Sequence, residues 1–257
     1  MYGASGVVKE QPAIANMGQF QPMAFPGQMS NVPAGLEYLA AVDQLIIKQE
    51  VSMFEVLAGF EARNKYRILN SMNQQAYWAF EESGFCHRIW CGPERGFVMH
   101  ITDNNQQEVM SVVRDFRCCT GCTLCADGCC MYPMIIKDKF GQQLGMARAR
   151  NFCCTPRLGI FDNDDNLLYE ITGPCCPCQA PCCTADVNYP ITSAKDGQQV
   201  GNISKIWAGV LREAFTDSET FGVQFPMDLD VKHKALMIGA VFLVDFVIFE
   251  RMKNNNQ

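Results

Sequence analysis

A polar turn between two short alternating apolar runs recurs five times through the middle of the chain, and this repeat limits the fold more than any other feature. The leading runs and their turns are Tyr66 to Leu69 with Asn70 to Gln75, Phe97 to Ile101 with Thr102 to Gln107, and Met134 to Ile136 with Lys137 to Gln143. Leu158 to Phe161 with Asp162 to Asn166, and Tyr189 to Ile191 with Thr192 to Gln199, complete the set. Alternation with period two marks strands with one buried face, and the turns between them read as hairpins. Four turns hold a Gln-Gln pair, and Gly141 and Gly197 supply positions that tolerate positive φ. Five hairpins give ten strands, and the runs at Val51 and Phe221 bring the total to about twelve. That many antiparallel strands favour a closed barrel, because closure removes exposed edges; single hairpins are too few strands for four-stranded propeller blades.

Upstream, Leu36, Leu39, Ala40, Leu45, Ile46 and Ile47 read as a short helix leading into a strand over Val51 to Leu57. Residues 1–34 hold Pro12, Pro22, Pro26 and Pro33 among scattered Gly, Gln and Met without periodicity, and are expected to be a disordered tail. No PxxP lies in it, so it specifies no protein partner by that route. The barrel domain is expected over 35–251, followed by a short polar tail over 252–257.

The most apolar window is Ala235 to Val244, then Asp245, then Phe246 to Phe249. A membrane span needs about 20 apolar residues, and a charge near its middle costs about 3 kcal/mol. The uncharged run is only ten residues long before Asp245. The favoured reading is a helix apolar all round because it is covered all round, with Asp230 as its N-cap. A barrel of about twelve strands has a lumen that needs a filler. Ala235, Ile238, Phe242, Asp245 and Phe249 are the candidate residues of this core or membrane helix.

Hydrophobic residues make up 48% and charged residues 19%, enough to bury a core. The net charge of −6 gives no general pull on nucleic acid or anionic lipid, so nucleic acid is not an expected partner and membrane binding would need an anchor. Only three histidines are present, which disfavours a His-rich metal site, whereas cysteines number fifteen. Residues 1–35 show neither the basic start nor the apolar run of a signal peptide, so reduced thiols rather than a disulfide framework are expected.

The thiols cluster at Cys118, Cys119, Cys122, Cys125, Cys129 and Cys130, and again at Cys175, Cys176, Cys178, Cys182 and Cys183, with a doublet at Cys153-Cys154. Cys119, Cys122, Cys125 and Cys129 have ferredoxin-run spacing, although Cys130 stands where that run has proline. The doublets place extra thiols away from any single zinc ion. They suit S-acylation instead, since one fatty chain binds a membrane marginally and several bind it stably. Lipid attachment, a metal–thiolate centre and inert thiols all stay open at this point.

Asp217 to Asp228 resembles an EF-hand loop by position, with acidic residues at 1, 3 and 12 and Gly222 at 6. Phe221 and Phe225 fall at positions 5 and 9 and offer no side-chain oxygen. The competing reading is a plain turn leading into a strand over Gly222 to Phe225, with Asp217 and Glu219 solvated. No GxSxG, Walker loop or HExxH is present, so no bond-breaking site is expected.

The stretch Leu211 to Asp217, with Phe221 to Val231, Met237-Ile-Gly-Ala and Phe242-Leu-Val-Asp245-Phe, resembles the phospholipid scramblases. So do Gly35 to Leu39, Asp43 to Ile46, Glu55 to Glu61, Asn64-Lys-Tyr66 and Gly92-Pro93. The resemblance implies a fold like the tubby C-terminal domain, a barrel of twelve strands around a C-terminal helix. It implies calcium-dependent, energy-independent phospholipid scrambling at the cytoplasmic face of the plasma membrane. It places Asp217, Glu219, Phe221, Val223, Phe225 and Asp228 in the family's calcium segment and its palmitoylated cluster on Cys118 to Cys130, with Cys175 to Cys183 as a secondary cluster. Gly201 to Trp207 matches the family's nuclear-import segment but has one basic residue, Lys205, so a packed strand and no nuclear pool are expected. Intrinsic transport would imply a homo-oligomer, since one barrel and one helix offer head groups no polar path. The alternatives are a lipid-anchored adaptor of the tubby type and a metal–thiolate protein.

Overall fold

All five polar turns close hairpins. The computed structural model describes residues 21–50, 64–84, 94–117, 123–175, 186–206 and 219–250, and its strands form a closed antiparallel barrel. The strands are β1 (Gln44–Gln49), β2 (Lys65–Asn70), β3 (Gln75–Glu82), β4 (Phe97–Thr102), β5 (Glu108–Arg114) and β6 (Met134–Asp138). They continue as β7 (Gln143–Ala149), β8 (Arg157–Phe161), β9 (Leu167–Thr172), β10 (Val187–Ser193), β11 (Gln199–Lys205) and β12 (Thr220–Gln224). Each pairs with its neighbours in sequence, and β12 pairs with β1 to complete the ring.

Turn chemistry is the same in four hairpins. Asn70, Asp103, Asp138 and Asp162 each accept through Oδ1 from the backbone N–H groups two and four residues on, at 2.8–3.0 Å. The residue three places on, Asn73, Gln106, Gly141 or Asp165, takes positive φ, and Gly197 does so in the fifth hairpin. Each turn adds a register shift to its ladder, so the strands bend as a barrel wall requires. The determinant is thus the leading Asn or Asp rather than the Gln-Gln pair, of which only Gln106 sits at a strained position.

Two expectations upstream are corrected. The helix expected through Ile47 stops early, as α1 (Glu37–Ala40), and Leu45 and Ile47 instead alternate with half-exposed Gln44, Ile46 and Lys48 in β1. Leu45 and Ile47 are fully buried because β1 closes the ring between β12 and β2. The run Val51 to Leu57 lies outside the described residues. Part of the expected tail is also ordered: Met23 N–H donates to Gln75 O, Gln75 N–H donates to Gln21 O, and Phe25 packs edge-on against Tyr38.

The lumen holds α2 (Val231–Val244), capped by Asp230, whose carboxylate accepts from Lys232 N–H at 2.8 Å. Its apolar residues on every face are buried because strands surround it. Phe242 meets Tyr66 of β2, Phe246 stacks on Phe97 of β4, Gly239 touches Ile136 of β6, and Phe249 meets Tyr189 of β10 and Phe221 of β12. Ala235, Ile238 and Phe242 are fully buried, and no described helix is long and apolar enough to cross a membrane. Beyond Val244 the helix continues as a wider, π-helical last turn, Asp245–Glu250. At the other end Lys234 buries its ammonium on the carbonyl oxygens of Leu39, Val42 and Met227, at 2.7–3.0 Å, and so ties α2 to α1.

Antiparallel strands paired in chain order send their connections alternately to the two ends of the barrel. The five tight hairpins leave one end. The longer connections β1–β2, β3–β4, β5–β6, β7–β8, β9–β10 and β11–β12 leave the other, where α2 also ends.

Candidate functional site

Among the described residues, the end opposite the hairpins gathers the thiols, Glu219 and Asp245. Its first part is the thiol cluster of the β5–β6 connection. A short 3-10 turn (Thr123–Cys125) runs into a tight loop in which Gly128 N–H and Cys130 N–H both donate to Cys125 O. Cys125 Sγ lies 2.9 Å from Cys130 Sγ, Cys129 Sγ lies 3.8 Å from Cys130 Sγ, and the three sulfurs all fall within 4.8 Å of one another. Cys130, at the ferredoxin proline position, is drawn into this group. The inserted Asp127 exchanges hydrogen bonds with Asn151 at 2.9 and 3.1 Å, and Phe152 N–H donates to Thr123 O. This joins the β5–β6 loop to the β7–β8 loop that carries the exposed thiols of Cys153 and Cys154. Cys129 and Cys175 are exposed, and Cys125 and Cys130 are half-buried. Cys118, Cys119, Cys122, Cys176, Cys178, Cys182 and Cys183 lie outside the described residues.

The second part is polar and buried beneath this rim. Glu219, just before β12, is buried, and its Oε1 accepts from Lys205 Nζ at 3.0 Å. Lys205, read in the sequence as part of a degenerate import segment, is a strand residue of β11 whose ammonium also lies over the Phe249 ring at 3.8 Å. Tyr66 Oη donates to Asp245 Oδ2 at 2.6 Å. Burial pushes the Asp245 carboxyl well above the carboxylate range, and the adjacent Glu219 carboxylate pushes it further. Burial also raises the Tyr66 phenol, with the Asp245 charge adding to it. Burial and the neighbouring Glu219 carboxylate thus favour the protonated form of Asp245, and Lys205 Nζ pairs with Glu219.

The segment expected to hold calcium runs mostly through a strand. Phe221, Val223 and Phe225 point into the core and are buried, and Asp228 lies at the opposite, hairpin end. Five extended residues at about 3.3 Å each separate Glu219 from Asp228 by about 16 Å. Ligands of one calcium ion all lie about 2.3–2.6 Å from it. The described members therefore do not fit a single EF-hand-like loop, and Glu219 is buried and paired rather than solvated. Asp217 lies outside the described residues.

Sequence reading missed a third group at the same end. Arg95 donates through Nε and Nη2 to the Glu81 carboxylate at 2.6 and 2.8 Å and through Nη1 to Glu250. Arg114 sits among Phe97, Tyr132 and Phe246 and donates to Arg95 O. Burial pushes Arg114 down to about 10, with the charge of Arg95 contributing. Only its place opposite the last turn of α2 reveals this group, since Glu81 and Glu250 are far apart in the chain.

A sheet closed on a buried helix defines a class of barrel whose lumen is protein core rather than channel. The chain belongs to the scramblase family: the family model for the Scramblase domain matches residues 23–251. It is 40% identical to phospholipid scramblase 1 of Mus musculus over 259 residues, covering 99% of this chain and 77% of that protein. Identity to phospholipid scramblase 1 of Homo sapiens is 43%, over 91% of this chain and 72% of that protein. Phospholipid scramblase 2 of Bos taurus is 42% identical, over 95% and 82%.

Proposed function

We propose that this protein moves phospholipids between the leaflets of the plasma membrane without energy input or bond-breaking chemistry, held on the cytoplasmic face by palmitoyl thioesters and responding to calcium. The observation that carries this reading is the gathering of thiols at one barrel end in a member of the scramblase family. In acylation each Cys sulfur attacks the carbonyl of an acyl-coenzyme A. The Cys–acyl bond forms as the coenzyme A thioester breaks, and the Cys proton leaves with the released thiol. Each buried CH2 contributes about 0.8 kcal/mol, so two or more chains hold the barrel stably.

Because α2 fills the lumen, lipid head groups do not pass through the barrel. Their path runs at the protein–lipid boundary or between copies of this chain, so a homo-oligomer belongs to the proposal. Calcium dependence rests on the resemblance of the segment from Asp217 to Asp228; the placement of Glu219 and Asp228 lends it no support. Purified protein in phospholipid vesicles is expected to raise the lipid flip rate with calcium, and Asp217→Ala to abolish the rise. Equal rates with and without calcium would remove that part of the reading, and no transport at all would leave a lipid-anchored adaptor.

A second reading has its own observation. Three sulfurs within 4.8 Å are close enough to share one thiophilic cation such as Zn2+. Coordination and acylation compete for the same thiols. Cobalt added to unacylated protein is expected to give thiolate charge-transfer absorption that disappears in a Cys125→Ser, Cys129→Ser, Cys130→Ser variant if this reading holds.

A further inference from the structure

The placement of the cysteines relative to the strands has a consequence for how the whole barrel sits. Among the described residues, all six cysteines lie outside the strands, α2 and the hairpin turns. Cys125, Cys129 and Cys130 lie in the β5–β6 connection, Cys153 and Cys154 in β7–β8, and Cys175 at the start of β9–β10. Alternation in the ring sends all three connections out of the same end. We infer that this end is the surface that lies on a phospholipid bilayer, with the hairpin end directed away from it. The inference rests on the acyl anchoring proposed above and adds to it a fixed orientation.

Three further observations support it. First, the thiol-bearing loops are not independent tethers: the Asp127–Asn151 exchange and the Phe152–Thr123 bond weld two of them into one rim. Chains attached at separate connections on one rim restrain tilt, whereas a single flexible tether would not. Second, the rim exposes Leu124 and Phe116, 69% and 44% accessible, beside the exposed thiols. Third, charge is distributed unequally between the ends. At the hairpin end Asp103, Asp138 and Asp162 are half-buried and Asp196 is exposed, and each carboxylate accepts from backbone N–H groups of its own turn. At the thiol end Asp127 and Glu170 pair with Arg150, Glu219 with Lys205, and Glu81 and Glu250 with Arg95. An anionic bilayer repels the hairpin end more strongly, even though Phe140, Met72 and Met227 are exposed there. In this orientation the buried Glu219–Asp245 pair lies directly beneath the bilayer-facing rim.

The test compares the two ends. Full-length protein made in eukaryotic cells, carrying its own thioesters, receives an environment-sensitive fluorescent amino acid at Leu124 or at Phe140. Phe116 serves as a second rim position. Each form is bound to phosphatidylcholine–phosphatidylserine vesicles with or without brominated acyl chains. Loss of emission at 124 and 116 but not at 140 is expected. Loss at 140, loss at all positions, or loss at none overturns the orientation. Mass spectrometry of the same preparations locates the acylated cysteines. Thioesters present with quenching at 140 defeat the orientation and leave the anchoring intact; thioesters absent with quenching at 124 do the reverse.

Discussion

Tyr66 Oη donates a 2.6 Å hydrogen bond to Asp245 Oδ2, joining the second strand to the last turn of the plug across 179 residues of sequence. The pair sits where barrel wall, helix end and the start of the family's acidic segment meet, and it has a measurable signature. Burial and the Glu219 charge raise the folded-state pKa of Asp245 above its unfolded value. The folded state then holds a proton that the unfolded chain releases, so this group's contribution to stability falls as pH rises above about 3.9 and levels off above its folded pKa. Asp245→Asn keeps an acceptor for Tyr66 and carries no titrating proton. Its stability relative to the parent is expected to increase with pH over that range, followed by urea unfolding at several pH values. A constant difference would show that Asp245 titrates normally.

Arg95 and Glu81 form the opposite case. Burial disfavours the Glu81 carboxylate, but the hydrogen bonds and charge of Arg95 outweigh it and hold the pKa below the ordinary value. Its stabilisation is present above the unfolded pKa and is lost as pH falls through the folded one. Glu81→Gln at neutral pH strips the buried guanidinium of its main partner and is expected to cost about 3 kcal/mol. For a chain of this size that lowers Tm by roughly 6–12 °C, measured by calorimetry.

Gly239 leaves no room for a side chain on the helix face toward β6. A Cβ there would lie 2.5 Å from Ile136 Cγ1 and 2.9 Å from its Cδ1. Gly239→Val is expected to destabilise by about 1–3 kcal/mol through overpacking. Ile136→Ala in the same chain opens the space, so the double variant should lose less than the two single losses combined. Simple additivity in denaturant unfolding would refute the contact.

His100 is held between Glu108, 2.7 Å from Nδ1, and Glu82, 2.9 Å from Nε2, and it stacks on Phe80. Burial works against its protonation, but the two carboxylates prevail and raise its pKa above 6.5. The stabilisation is complete below the unfolded pKa and disappears as pH rises through the folded value. NMR titration should give a midpoint above 6.5, and Glu108→Gln should move it down. An unshifted midpoint in the parent would contradict the geometry.

The hairpins were legible because a turn is local. Asx side chains, residues able to take positive φ and flanking alternation all lie within about eight residues, and the Asn70, Asp103, Asp138 and Asp162 pattern was present to be read. The plug was legible for a related reason, since a helix apolar on every face must be covered on every face. The first strand was not. Leu45, Ile46 and Ile47 are three apolar residues in a row, and they satisfy a helical period as well as an alternating one. Only the gap between β12 and β2 settles the matter.

Short-range pattern and matched motifs are enough for the number of hairpins and for the family, and they favour a covered last helix whose burial the closed ring then settles. Which residues share a site follows only from how the ring closes. Glu219, Lys205, Tyr66 and Asp245 come from three strand regions and the helix end, and closure of the ring brings them together. The physical reason is that a local pattern states which face of a strand is buried but not which strand stands opposite. That depends on where the sheet meets itself and how far the helix runs through its lumen.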